Sequence, residues 1–491
     1  MSTCPALGTR YLMFISTLLA SLPLVAGLGW PLDRPYVKPT QPVSEIIAVG
    51  DSFTSGVGSN GLLERFGGVA GRGLRSYPIQ MVRDLDMWEI INGERKEPRL
   101  TFLAHHSDTT EDVMERQLVN DGPFQKDSWE LARGAPFGNP QLAVMTVGGN
   151  DAKVAYLLND CVFRAWRPQN CDDTINRTVS LLMSTEYESR LRDTMLAVIA
   201  QGRKARGAYP PESFQLYVAE YANIFNDNNP ECDQIDWRLH SLSEITFLTR
   251  ELRKKFTFLN TLMNAAAKRA AEGLKDKGVI YVDGINRHFD GHRFCEDGQT
   301  SQEMNHVNTW LWSHYSDTVT TDDPPLPSIR GRSPNARDTD FRRPWSRQVH
   351  DGIYEKVLLD FVFQNQTSNG TLFDSGAPPW TWPGADRYPD FDSLIKAMQA
   401  TEATVGNMEL YSFAAQLSIG GLDDLLKWGG RQARDVINYL LPFHMSRSFH
   451  PKGKGYQVMK ERIFAAILQN REIAHKNRTI TQHITGPVML G

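Results

Sequence analysis

Five short runs of mostly apolar residues, at 45–49, 100–104, 142–147, 214–220 and 279–282, constrain this chain more than any other feature. Each is bounded by Gly, Pro, Asn or Asp, and none alternates strictly between apolar and polar residues. Such runs read as strands covered on both faces. Between them lie stretches with helical spacing, one around 186–203 and a longer one, rich in Ala, Lys and Arg, over about 243–275. Gly278 stands where the second should stop. Buried strands that alternate with helices predict an α/β fold with a parallel sheet between two helical layers.

The alternation breaks near residue 300. From 300 to 347 the composition turns to Pro, Asp, Ser, Arg and Trp, with Asp322-Asp323-Pro324-Pro325 at the middle, and a second Gly/Pro/Trp/Asp-rich stretch spans 367–392. Helical runs follow at 394–400 and 423–439. A chain of 491 residues has room for such an excursion beside a full core. The expected organisation is an α/β core over 44–299, an insertion or cap over 300–440, and a C-terminal part of the core over 441–470. There is no internal repeat.

The N-terminus reads as a secretory signal over 1–29. Arg10 supplies the positive charge, an apolar run continues to Ala26, and Pro23 interrupts it before it reaches the length of a membrane span. An uncleaved signal anchor is the alternative; no later stretch suits a bilayer. Cys4 lies inside this segment. The remaining Cys161, Cys171, Cys232 and Cys295 are even in number, lack the CxxC spacing of a zinc site, and suit two bridges in an oxidising compartment. Asn176, Asn365, Asn369 and Asn477 each open an Asn-x-Ser/Thr sequon, and together these features predict a secreted glycoprotein. The net charge of −4 and the absence of a basic, aromatic-interleaved run argue against a nucleic-acid partner.

Three loops carry residues suited to chemistry. Gly50-Asp51-Ser52 directly follows the first strand, where parallel sheets present ligand-binding groups. The plain alternative is a serine capping the next helix. Gly148-Gly149-Asn150-Asp151 follows the third strand; the Asn amide could face a developing oxyanion or simply form an Asx turn. Phe449-His450-Pro451 precedes a helical stretch at 456–468 and offers a base.

In that order, and after the expected strands, these motifs resemble the SGNH (GDSL-type) hydrolase family. Ser76-Tyr77-Pro78, Asp160-Cys161, Glu231-Cys232-Asp233 and the run from Phe289 to Glu296 resemble its secreted fungal and actinobacterial esterase–lipase branch. The resemblance covers about 44–296 and 445–468. It implies a three-layer α/β/α sandwich with a five-stranded parallel, flavodoxin-like sheet, no cofactor, and carboxylic esters of lipids or acylated carbohydrates as substrates. It also implies Ser52 as nucleophile, His450 as base, and an oxyanion hole formed by the N–H groups of Ser52 and Ser107 with the Asn150 amide. In such a fold Cys161–Cys171 closes a short loop, and Cys232–Cys295 joins the segments after the fourth and fifth strands.

The chain departs from the family twice. Ala104-His105-His106-Ser107-Asp108 stands where the family has Ala-Cys-Ser-Gly-Ala, so a serine replaces the glycine that donates its N–H. The replaced cysteine has also lost its partner, because Gly71-Arg72 stands where Cys-Arg is usual. Three residues before His450, Arg447 replaces the usual Asp, so a main-chain carbonyl, with that of Arg447 as a candidate, has to orient the imidazole. Of the other histidines, His288 and His292 lack the Glu of a zinc-protease helix, and no metal is expected. His292 is the competing base, although its place beside Cys295 gives it a structural explanation. The alternative function is a catalytically weak or inactive protein that uses the same cleft to bind a glycan or lipid.

Overall fold

The computed structural model describes Leu32 and residues 34–59, 71–118, 138–164, 168–204, 210–235, 237, 246–297, 308–313 and 448–471. The signal segment, Arg447, the sequons at Asn365, Asn369 and Asn477, and all of 300–440 except 308–313 lie outside them.

The five strands are β1 (Glu45–Gly50), β2 (Arg99–Phe102), β3 (Leu142–Thr146), β4 (Gln215–Ala219) and β5 (Val279–Val282). They form one parallel sheet in the order β2-β1-β3-β4-β5. β3 and β4 are buried at every position, which is why their sequences show no alternation. The second strand ends before the sequence run does. Past Phe102 the chain pinches, with the N–H groups of Leu103 and Ala104 both donating to the Ala48 carbonyl.

The longer helices among the described residues are α1 (Tyr77–Arg83), α2 (Leu85–Asn92), α3 (Cys171–Leu182), α4 (Thr185–Lys204), α5 (Arg250–Glu272) and α6 (Gly453–Asn470). The chain steps from β1 outward to β2, then returns past β1 to β3 and continues to β5. Right-handed crossovers in opposite directions put their helices on opposite faces. Accordingly α1 packs on α6, which lies against β4 and β5, while α4 and α5 pack together against β3, β4 and β5. On the first face the Trp88 indole meets the Phe464 ring at 5.2 Å and donates to the Met81 carbonyl at 2.7 Å.

Thr249 caps α5 by accepting from the Leu252 N–H at 3.3 Å. The helix stops earlier than its composition suggests, at Glu272. Gly278 instead closes a tight turn over Lys275–Lys277 that feeds β5, its N–H donating to the Lys275 carbonyl. Cys161 is bonded to Cys171 across 4.9 Å between Cα atoms, and Cys232 to Cys295 across 5.4 Å. The second bond ties the segment after β4 to the one after β5, where Phe225 and Phe294 also pair as an isolated parallel bridge. Asn176 is exposed on α3. Among the described residues no helix is long and apolar enough to cross a membrane.

This strand order reverses direction between β1 and β3. Crevices of open α/β sheets form at such a point, outside the carboxyl ends of the strands.

Candidate active site

The loops after β1, β2 and β3 meet at that crevice. At the end of β1, Gly50 has φ +125°, and a Cβ there would lie 2.1 Å from the Thr146 carbonyl oxygen. Only glycine permits the backbone to pass so close. The chain then enters a single helical turn, Ser52–Ser55. Its cap is Asp51, whose carboxylate accepts from the Phe53 N–H at 3.1 Å. Because the aspartate does the capping, the Ser52 hydroxyl is left for another partner. Ser52 Oγ lies 2.7 Å from His450 Nε2.

His450 comes from the loop before α6, and its main chain is held by the segment 308–313. The Trp312 N–H donates to the His450 carbonyl at 2.9 Å, the Phe449 N–H donates to the Trp312 carbonyl at 2.8 Å, and Leu311 pairs with Pro451 as an antiparallel bridge. His450 Nδ1 lies 3.2 Å from the Ser448 carbonyl oxygen. A carbonyl can only accept, so the arrangement favours the proton on Nδ1 and a lone pair on Nε2, facing Ser52. The carbonyl brought to the imidazole is thus that of Ser448; Arg447 lies outside the described residues. His292 has a different environment. It stacks on Trp310 with ring centroids 3.5 Å apart, and its Nδ1 is 2.8 Å from the Asn308 carbonyl oxygen. It braces the segment that holds His450.

After β3, Gly148 turns at φ +111°, where a Cβ would meet the Tyr187 hydroxyl at 2.7 Å. Asn150 Nδ2 donates to the Asp108 carbonyl at 2.9 Å. An amide NH₂ has two protons, so this bond anchors the group and leaves one N–H to give. After β2, Ser107 adopts φ +65°, a left-handed conformation that glycine takes without strain. Among the described residues nothing accepts from the N–H of Ser52 or that of Ser107.

Sequence reasoning passed over the groups that lock these loops together. Gln117 accepts from the Gly50 N–H and donates to both the Gly50 carbonyl and the Asp108 carboxylate, each at 2.8 Å. Asp151 accepts from Thr110 through its N–H at 3.0 Å and its hydroxyl at 2.6 Å. Asp51 also accepts from Thr146 Oγ1 at 2.8 Å and from the Tyr221 hydroxyl. Only Asp51 and Asp151 had a sequence signal, as neighbours of Ser52 and Asn150 inside their motifs.

Burial dominates the electrostatics. It pushes the Asp51 carboxyl up to about 6, against the lowering effect of its hydrogen bonds to Tyr221 and Thr146. Burial likewise raises Asp108 and Asp151. The imidazole of His106, whose ring centroid is 6.2 Å from that of His450, is driven down to about 3 by desolvation and then by the neighbouring histidines. It is therefore neutral at and around neutral pH.

A hydroxyl facing an imidazole lone pair can lose its proton as it attacks a carbonyl, and uncommitted N–H donors nearby can receive the charge that forms on oxygen. No family model and no curated protein matches the chain. Solved structures do resemble it. Phospholipase A1 from Streptomyces albidoflavus NA297 is 22% identical over 57% of this chain and 91% of its own, with a TM-score of 0.37. An extracellular lipase from Streptomyces rimosus is 21% identical over 55% and 88%, with a TM-score of 0.35. A family two carbohydrate esterase from Clostridium thermocellum is 12% identical over 49% and 54%, with a TM-score of 0.26.

Proposed function

We propose that this protein is a secreted serine hydrolase of the SGNH type that cleaves carboxylic esters of lipids or acylated carbohydrates. One observation carries the reading: the 2.7 Å contact between Ser52 Oγ and His450 Nε2, with His450 Nδ1 turned to a main-chain carbonyl. Ser52 attacks the ester carbonyl carbon while His450 takes its proton. The oxyanion receives hydrogen bonds from the N–H groups of Ser52 and Ser107 and from the Asn150 amide. His450 then protonates the leaving alcohol, and a water molecule repeats the sequence on the acyl-enzyme with the roles reversed. The Ser448 carbonyl holds the imidazole tautomer in place of a carboxylate. Two disulfides support an oxidising, extracellular destination.

The test uses an activated-serine probe together with ester turnover. A fluorophosphonate should label the wild-type protein at Ser52. His450→Ala should lose labelling and several orders of magnitude in kcat, as variants of other nucleophile–base pairs do. A folded His450→Ala protein with near-normal hydrolysis would overturn the assignment of the base. A wild-type protein that neither labels nor hydrolyses esters would leave a cleft that binds without catalysis.

A further inference from the structure

Tyr221 stands just beyond β4, and its phenol reaches across to the loops of both β1 and β3. Its own placement is unusually well determined. The side chain of Asn264, on α5, pairs with both of its main-chain groups, accepting from the N–H at 3.0 Å and donating to the carbonyl at 2.9 Å. Asn260 donates to the same carbonyl at 3.1 Å. An amide that matches a peptide group at both ends acts as a substitute strand partner and fixes where the next bond, Cα–Cβ, points.

The phenol it aims is buried and fully used. The hydroxyl donates to the Asp51 carboxylate, next to Ser52, and accepts from the Gly149 N–H at 3.2 Å, next to Asn150. One proton and spare lone pairs let a single hydroxyl serve both sides. The ring meets Phe53 edge-on at 5.1 Å, and Phe53 lies 5.3 Å from the His450 ring. The nucleophile loop and the Asn150 loop come from different strands, yet they must address one carbonyl group to within a fraction of an ångström.

We propose that Tyr221 is a positioning residue for ester hydrolysis, its hydroxyl holding the Ser52 loop and the Gly149-Asn150 loop in one frame. The inference rests on the hydrolase reading above. It predicts a loss confined to the transition state, because substrate binding does not need the two loops aligned to that tolerance.

The experiment compares Tyr221→Phe with wild type in the full chain, using a soluble ester and a fluorophosphonate. Phenylalanine keeps the ring and removes the tie. The expected result is a kcat lower by about tenfold to a hundredfold, the scale of a small misplacement of reacting groups, with KM within about twofold. Fluorophosphonate labelling should slow in parallel. Since Tyr221→Phe leaves the Asp51 carboxylate short of a partner and could lower the yield of folded protein, the comparison is repeated in the Asp51→Asn background. There the hydroxyl can still tie the loops, and its removal should again lower kcat. A folded Tyr221→Phe protein with unchanged kcat, or a change in KM alone, overturns the proposal. So does equal kcat for Asp51→Asn and the double variant. An inactive wild type would instead sink the hydrolase reading itself.

Discussion

Gly50 and Gly148 turn the chain at φ +125° and +111° after β1 and β3, whereas Ser107 makes the corresponding left-handed turn after β2 with a side chain in place. At both glycines, space enforces the conformation. A Cβ would meet the Thr146 carbonyl oxygen at 2.1 Å in one case and the Tyr187 hydroxyl at 2.7 Å in the other. The Ser107 turn is enforced by bonds to its neighbours. The Asp108 carboxylate is gripped by Arg116 at 3.1 Å and Gln117 at 2.8 Å, the Asp108 carbonyl accepts from Asn150, and His105 Nδ1 lies 2.8 Å from the His106 carbonyl oxygen. A turn pressed against backbone, as at Gly50, tolerates no larger residue, and one pressed against buried side chains, as at Gly148, tolerates it only if they move. A turn fixed by surrounding hydrogen bonds can lose its glycine and keep its N–H direction. This accounts for a serine where the resembling family has glycine.

The sharpest attempt to break the contrast is Gly50→Ala. The new Cβ meets a carbonyl of the central strand rather than a flexible side chain, and the φ is one that L-residues avoid. We expect little folded protein and no measurable ester turnover, read by circular dichroism melts and an ester assay. A stable, active Gly50→Ala protein would remove the steric half of the comparison.

A smaller effect is expected for Gln117→Leu, which cuts the ties between Gly50 and Asp108 without adding bulk. It strands buried groups on both loops, so a loss of about 2–4 kcal/mol in unfolding free energy is expected from one to two unsatisfied polar groups. kcat should fall about tenfold as the two loops separate. Denaturant titration and steady-state kinetics measure the two quantities. Unchanged values for both would mean that the β2 loop is held by something other than these bonds.

The smallest change should come from Ser107→Gly, and it should be a gain. The left-handed conformation costs an ordinary residue about 1–2 kcal/mol, and the extra freedom of glycine in the unfolded chain returns about 0.5–1 kcal/mol. The balance is a stabilisation of about 0.5–1 kcal/mol, with kcat/KM within about twofold because the N–H is retained. A clear destabilisation would show that the serine side chain itself supports the turn.

The same contrast separates what could be read from the sequence. The sheet was legible because strands buried on both faces write themselves as continuous apolar runs, and the order of β1, β3 and α6 follows from the chain. Ser52, Asn150 and His450 stood in short motifs of local geometry. Which residue capped the turn after β1 was not legible, since Asp51 and Ser52 are comparable N-caps by type. Gln117 and Tyr221 gave no signal either. Their partners Gly50 and Asp51 are 67 and 170 residues away along the chain, and an isolated Gln or Tyr is neither unusual nor periodic. The carbonyl at His450 Nδ1 was foreseen as a type of group; its owner, Ser448, depends on a left-handed Phe449 that composition does not reveal.

The pairing of Leu311 with Pro451 brings the two ends of a very long stretch of chain side by side, and this bears on how the sequence can change over generations. The entropy of closing a chain between two fixed points grows only with the logarithm of the number of residues between them, about 0.6 kcal/mol for each doubling. Once the neck is secured by its own hydrogen bonds, residues between Ser313 and Ser448 can be gained or lost at little thermodynamic cost to the joint itself. His450, the proposed base, therefore sits at a permissive point for insertion, while its contact with Ser52 is set by the few residues on the core side of that pairing. Selection can thus act on the length and content of the intervening segment almost independently of proton transfer.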